Sequence, residues 1–307
     1  MSNVAPWLLI EASSEGVMRY ATAIPSDRPR LTNIGQITVS GLPTFTDALQ
    51  SIERELHMPL RGVQCAMAMA GATSGDVLSM LRSRWTITRA GLAAVFDREV
   101  TVLNDVAARA WATRASSASI DALRGIGQPS LSRPGRMLML MVDEGVGASA
   151  IDIDREGDVR ILETELGHLD FAPDNEREER ICRALRTGQR HVSWEQMLIL
   201  NRTDPIWQSA LPELGESERG RFIAGLLGRF TVNAITALGA WQGVMLTGAK
   251  ISRIIDGTSR ASFDAAMSER RNFSRLLIAA PVWRVDQRDA VLAGAAERLA
   301  YTLRPGT

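Results

Sequence analysis

Apolar and polar positions alternate along the chain in a way that already divides it into elements. WLLIEA (7–12) and MRYATAI (18–24) read as two strands of a hairpin across a Ser-Ser-Glu-Gly turn. In TFTDALQSIERELHM (44–58), Phe45, Leu49, Ile52 and Leu56 recur at helical spacing, with Thr44 or Thr46 as N-cap. GVQCAMAMAG (62–71) is an unbroken apolar run closed by glycine, the pattern of a strand buried on both faces. REVTVLNDVAARAWAT (98–113) predicts a strand that ends at Asn104-Asp105 and runs straight into an alanine-rich helix. Pro, Gly and Ser in IGQPSLSRPGR (126–136) mark a connection between lobes. Beyond it, MLMLMV (137–142) and ASAIDID (148–154) flank DEGVG as a second strand pair, similar to the opening hairpin.

The second half is mostly helical, over 176–187, 193–200, 216–238 and 286–302, with strands at 243–249 and 276–285. Hairpins followed by strand–helix alternation, twice over, predict an α/β protein of two lobes with a cleft. The expected division is a small lobe over 1–115, with the helix of 286–307 packing back on it, and a large lobe over 116–285.

Composition narrows the function classes. A length of 307 residues suits two domains, and 45% hydrophobic content is ample for their cores. Thirty-five basic residues balance 35 acidic ones, so no net field draws the chain to nucleic acid or to a membrane surface. Residues 230–249 carry no charge, but Asn233, Gln242 and the glycines within them fit a buried helix followed by a strand better than a membrane span. The N-terminus lacks the basic start and long apolar core of a signal peptide. Cys65 and Cys182 have no metal-ligand spacing and read as reduced thiols, as in a cytoplasmic protein.

Chemistry concentrates at two places. Asn104-Asp105 lies where a strand gives way to a helix, so a carboxylate there can serve as general base for a hydroxyl. Both are also preferred helix caps, and the dipeptide alone favours that reading. In TELGHLDFAPDNEREERI (164–181), Glu165 accepts hydrogen bonds from hydroxyls and a neutral His168 can accept or donate. Glu195, in HVSWEQML, can close the same pocket. The acids of 174–179 suit the solvated first turn of a helix. No metal-binding spacing is present, so these side chains are not expected to hold one.

These segments resemble the bacterial glucokinases. ELGHLDFAPDNEREERICRALRTGQRHVSWEQML is similar to that family's E-G-G-H-V-D-F-A-P segment running on to H-V-S-x-E. VLNDVAARAWA resembles its I-N-D-F stretch, and SGDVLSMLRSRWTI its T-G-D…T-N-x-x-W stretch. GRFTVNAITALGAWQGVMLTGAKISRII resembles its G-R-F-G-G-N-L-A-L…G-G-V-F-I-A-G-G-I stretch. The resemblance implies the actin/hexokinase fold, with sugar and ATP meeting between two lobes. It implies that Asp105 is the base for the sugar 6-hydroxyl and that Asn104, Glu165, His168 and Glu195 contact sugar hydroxyls. Gly145, Gly147 and Gly248 match phosphate-loop glycines. ATP, Mg²⁺, glucose or a similar hexose, a homodimer and a cytoplasmic role in carbohydrate metabolism are all expected on this ground.

The phosphate-handling loops depart from the family. Where it has D-x-G-G-T-N the chain reads EASSEGVMR, and a gap-free register on Arg19 puts Ala12 at the aspartate and Glu15 at the second glycine. Glu11 is one residue early and needs a bulge or slip to substitute. The family's G-x-G-T-G-L-G is VDEGVGA here, which brings Asp143 and Glu144 to a phosphate turn, although bridging Mg²⁺ offsets such charge in part. LTGAK keeps Gly248 but has Ala249 as its neighbour, and Leu81-Arg82 replaces the T-N of the sugar-side loop. Two expectations follow: a sugar kinase with poor donor binding, or a non-catalytic hexose-binding sensor that has lost ATP use.

Overall fold

The computed structural model describes residues 5–12, 16–80, 83, 85–115, 118–186, 190–269 and 272–304; Glu15, Leu81 and Arg82 lie outside them. Strands β1 (Trp7–Ala12), β2 (Val17–Ala23) and β3 (Leu31–Thr38) form an antiparallel meander. Then come α1 (Phe45–Leu56) and β4 (Cys65–Met69), followed by the short strands β5 (Gly71–Ala72), β6 (Val77–Met80) and β7 (Ile87–Thr88). Helix α2 (Arg89–Phe96), β8 (Thr101–Asn104) and α3 (Asp105–Ala112) follow. A second series holds β9 (Ser119–Arg124), β10 (Gly135–Val142), β11 (Val146–Ile153) and β12 (Val159–Thr164), then a 3₁₀ turn at Leu166–His168. It continues with α4 (Glu176–Leu185), α5 (Trp194–Leu198), α6 (Ile206–Ala210), α7 (Glu216–Leu238) and β13 (Val244–Thr247). It closes with α8 (Ile251–Ile254), α9 (Arg260–Ser268), α10 (Ser274–Ala279) and β14 (Val282–Asp286), before a final helix, α11 (Ala290–Thr302). The chain forms two compact units, Met1–Ala118 with Gln287–Thr307, and Ser119–Asp286.

In the first unit the sheet order is β3-β2-β1-β4-β8, with β1, β4 and β8 parallel. The run CAMAM makes β4 central because every residue is apolar and both faces are covered. Cys65, Met67 and Met69 face the core that α1 completes with Phe45, Leu49 and Ile52, and Thr44 and Asp47 close that helix's start in a capping box. Ala66 and Ala68 face the other way, against Leu9, Leu103, Ala108 and the apolar side of α11. Small side chains there let helices come close: a Cβ on Gly294 of α11 would stand 1.6 Å from the Ala108 carbonyl oxygen of α3.

The second unit has the order β12-β11-β10-β13-β14-β9. Its hairpin β10–β11 closes from Val142 opposite Val146 through a turn at residues 143–145. Leu138, Leu140 and Val142 pack with Phe230 and Ile235 of α7, so the uncharged stretch 230–249 is a buried helix followed by β13. Among the described residues no helix is long and apolar enough to cross a membrane.

Three sequence expectations change. The stretch 276–285 is not one strand: it holds the end of α10, where Leu277 is buried while Leu276 and Ile278 are exposed, then Pro281 and β14. Residues 126–136 lie inside the second unit, between β9 and β10, rather than between units. Strands β3, β9 and β12 are unannounced by any apolar run because each is a half-exposed sheet edge.

Packing of α3 on α11 yields a prediction of sign. Alanine is a better helix former than glycine by about 1 kcal/mol. Gly225→Ala on α7, where a Cβ meets nothing nearer than 4.0 Å, should therefore hold or raise stability. Gly294→Ala should lower it by about 1–3 kcal/mol through overpacking. Urea denaturation of both variants checks this, and a stabilising Gly294→Ala would mean the two helices are not so tightly apposed.

Candidate functional site

Asp105 sits at the carboxyl end of β8 as the first residue of α3. Asn104 is the helix cap: its Oδ1 accepts from Val106 N–H at 2.9 Å and from Ala107 N–H at 3.4 Å, while its Nδ2 donates to the Gly71 carbonyl at 3.2 Å. The cap and base readings of this dipeptide are therefore not exclusive, because Asn104 caps the helix while the Asp105 carboxylate accepts from Val106 N–H at 2.9 Å. Burial pushes the Asp105 pKa up to about 6, against the pull of Arg109 and the Val106 amide, with Glu11 adding to the rise.

Glu11 reaches that neighbourhood without a bulge. β1 pairs regularly with β2 over its whole length, Glu11 opposite Arg19, and alternation puts Glu11 on the face of Trp7 and Leu9 that packs on α3 and α11. Its carboxylate accepts from Arg19 Nη1 at 2.9 Å, and the same guanidinium pairs with Asp289. Asp289 was not signalled by sequence, since it lies 270 positions away from Arg19.

In the second unit Glu165, His168 and Glu195 converge. Glu165 opens the 3₁₀ turn and His168 ends it, with Oε2 and Nε2 3.7 Å apart. Gly167 between them is required: a Cβ there would lie 2.0 Å from the Val146 carbonyl oxygen, so only glycine lets the turn press against the start of β11. Glu195, in the first turn of α5, accepts from Val146 N–H at 2.9 Å through Oε2. Burial pushes the Glu165 pKa up; His168 pulls it down, and Glu195 and Glu163 push it up again. Three side chains 30 positions apart thus feel one another, as a polyol pocket needs.

A brace behind them went unpredicted. Trp194 N–H donates to the Leu169 carbonyl at 3.0 Å, and Phe171 N–H to the Val192 carbonyl at 2.7 Å, tying the His168 turn to α5. Arg229 of α7 lies 4.8 Å from the Phe171 ring and 5.2 Å from the Trp194 ring. It also pairs with the buried Glu178, at 2.9 Å, and with Asp174. The signal was its place in the quoted GRF stretch.

Phosphate-loop residues also come together. Gly145 has Glu195 Oε2 so close that a Cβ would meet it at 2.9 Å, and Gly147 stands opposite Met141 in the β10–β11 ladder. Gly248 has φ +108°, and a Cβ would sit 2.4 Å from the Val142 carbonyl oxygen, so the fold itself needs this glycine. Asp143 Oδ1 accepts from Ala249 N–H at 2.5 Å, and Glu144 pairs with Lys250 at 3.6 Å. Beside them a cavity of about 730 Å³ is lined by Glu144, Asn201, Arg202, Lys250 and Asp256 among others.

This donor set suits a nucleotide unevenly. Volume and polar edges fit a nucleoside. The phosphate margin fits less well, since one amide and one ammonium that would meet phosphate already hold carboxylates. Among the described residues no three His, Cys, Asp or Glu side chains gather into a metal site.

A family model described as Glucokinase matches residues 17–199 and 220–302. The chain belongs to the Glucokinase family. It is 27% identical to a glucokinase of Stenotrophomonas maltophilia strain K279a, over 96% of this chain and 95% of that one. It is 28% identical to a glucokinase of Chromobacterium violaceum, over 86% and 81%. Its fold matches the crystal structure of glucokinase from an Antarctic psychrotroph with TM-score 0.75 at 18% identity, covering 96% of this chain and 98% of the other. It matches Balamuthia mandrillaris glucokinase in complex with glucose with TM-score 0.76 at 14% identity, covering 98% and 95%. A ROK family transcriptional regulator, homolog of the E. coli MLC protein, has TM-score 0.62 at 13% identity over 96% and 78%. The two-domain α/β fold of glucokinases is thereby established for the chain.

In this member of the Glucokinase family, Asp105 gives a pH-dependent stability signature. Its folded pKa of about 6 exceeds the ordinary carboxylate value near 3.9. Between these the folded chain keeps a proton that the unfolded chain releases, so the group opposes folding as pH rises through that window and fully above it. Asp105→Asn should raise Tm at pH 8, and the gain should shrink towards pH 4.5. Calorimetric melting at both pH values checks it; equal shifts would indicate an ordinary carboxylate.

Proposed function

We propose that the chain is a hexose 6-phosphotransferase of the glucokinase kind with weak donor binding. Asp105 takes the proton of the sugar 6-hydroxyl, and Asn104, Glu165, His168 and Glu195 hold the other hydroxyls. The observation that carries this reading is the desolvated Asp105, ionised at neutral pH yet with its pKa brought up to about 6, as a general base requires. A carboxylate that merely capped α3 would gain nothing from such burial, and Asn104 already performs that work.

ATP is the donor, with its nucleoside in the cavity beside Lys250 and its phosphates towards the Gly145 and Gly248 turns. Mg²⁺, when bound, supplies charge neutralisation between phosphate and the acids Asp143 and Glu144. Holding and orienting the sugar falls to Glu165, His168 and Glu195. Family membership leads us to expect a cytoplasmic homodimer serving carbohydrate metabolism.

A second reading, a hexose-binding sensor without phosphoryl transfer, is favoured by one observation. Asp143 and Glu144 hold the Ala249 amide and the Lys250 ammonium, the donors a phosphate would use.

A coupled assay with glucose, Mg²⁺ and ATP, run beside calorimetry for glucose and for ATP, separates the two. On the kinase reading glucose binds, turnover is measurable, and Asp105→Asn lowers kcat about 10²- to 10⁴-fold with little change in sugar affinity. The acidic limb of the rate should fall near pH 6, where Asp105 protonates. A variant within threefold of the parent would remove Asp105 from the chemistry, and absent glucose binding at millimolar concentration would remove the pocket.

Asp143→Gly with Glu144→Thr, which restores the family's turn, should tighten ATP several-fold or more. Weaker ATP binding in that double variant would make the two acids working metal ligands. Glucose binding with no ATP binding by either form would establish the sensor.

A further inference from the structure

We propose that the first unit carries a second ligand site, an arginine-lined cavity that takes inorganic phosphate or a small phosphomonoester. The cavity, of about 440 Å³, lies among Gln64, Arg89, Arg98, Glu99, Arg298 and Thr302, with Thr101 and Val102 at its floor. These last two residues begin β8, whereas Asp105 follows its last residue, so the cavity and the candidate base lie at opposite ends of one strand. The site is therefore separate from the base, and it shares no residue with the cavity lined by the second unit.

Charge makes the case. Three guanidinium groups line the cavity against one carboxylate, Glu99, which is exposed. Among the described residues neither Arg98 nor Arg298 enters an ion pair. Arg298 is half-buried, and burial lowers its pKa while Tyr301 raises it; its guanidinium lies 5.3 Å from the Trp111 ring. An aromatic face attracts a cation without neutralising it. Arg89 is held in place by two backbone carbonyls, Thr73 at 2.6 Å and Gly75 at 3.2 Å, which orient the fork but add no negative charge.

The three arginines come from different segments: Arg89 opens α2, Arg98 follows that helix, and Arg298 belongs to α11. Guanidinium groups match the tetrahedral oxyanion of phosphate, and the volume leaves room for an organic body the size of a sugar.

The test is calorimetry on the full chain with two probes, inorganic phosphate and glucose 6-phosphate, at one low ionic strength. Binding should weaken about tenfold or more in Arg98→Ala and in Arg298→Ala. It should not change in Arg61→Ala, a control arginine of the same unit that is exposed and paired with Asp97. Arg98 is exposed and enters no side-chain hydrogen bond or ion pair among the described residues, so Arg98→Ala keeps the test valid if removal of Arg298 from Trp111 disturbs folding. Glucose 6-phosphate held at the candidate sugar pocket would be insensitive to Arg98→Ala. A tighter hold on glucose 6-phosphate that Arg98 controls identifies a phosphorylated metabolite as ligand, and equal affinity identifies free phosphate. No binding of either probe at about 10 mM, or binding that ignores Arg98→Ala, overturns the proposal.

Discussion

The first unit depends on holding a partly buried, desolvated carboxylate at the carboxyl end of β8. Desolvating Asp105 is unfavourable, and the fold tolerates it because everything around α3 is fixed by close packing. Ala66 and Ala68 on β4 leave room for α11, and Gly294 lets α11 touch the Ala108 carbonyl, so α3 has no freedom to swing its first residue outward. Asn104 closes the helix start from within the strand, accepting from the Ala107 amide and sharing the Val106 amide with the aspartate. The raised pKa therefore owes most to burial, with Glu11 adding to it and Arg109 opposing it.

The second unit solves a different problem, holding exposed polar groups still. Glu165 and His168 are about half exposed, with side chains 52% and 42% accessible, so burial cannot fix them. Rigidity comes from beneath: Gly167 pressed on Val146, Glu195 bonded to the Val146 amide, and Arg229 between two aromatic rings with Glu178 as its counter-charge. Removing one partner from such a buried pair leaves a charge stranded, which is far more disruptive than losing a surface bridge.

Much of this was legible in the sequence, for identifiable reasons. β4 announced itself as five consecutive apolar residues, α7 by its unbroken helical pattern ending at Gly239, and the Asn-Asp step by the abrupt change from strand to helix composition. The edge strands β3, β9 and β12 stayed hidden because an edge exposed on one side needs no apolar run. Local pattern also misled at 276–285, where an apolar stretch turned out to be a half-exposed helix and a strand separated by Pro281. The Glu165–His168 turn and Glu195 were found through resemblance. Their brace through Arg229, and the Arg19–Asp289 pair, are contacts between distant segments that no local pattern encodes.

The two acids of the β10–β11 turn are not equivalent, and the difference locates the obstacle to phosphate. Glu144 is 72% exposed and its pair with Lys250 spans 3.6 Å, so solvent screens it and it contributes at most about 1 kcal/mol. A phosphate approaching Lys250 displaces such a partner at little cost. Asp143 instead accepts the Ala249 amide at 2.5 Å, a short charge-assisted bond to a fixed backbone donor. That amide follows Gly248, whose backbone is locked against the Val142 carbonyl and cannot turn to offer another donor. A ligand phosphate must therefore either evict Asp143 or sit beside it with a cation between them. On the proposed kinase reading, weak and Mg²⁺-dependent donor binding would follow from Asp143 first and from Glu144 only second.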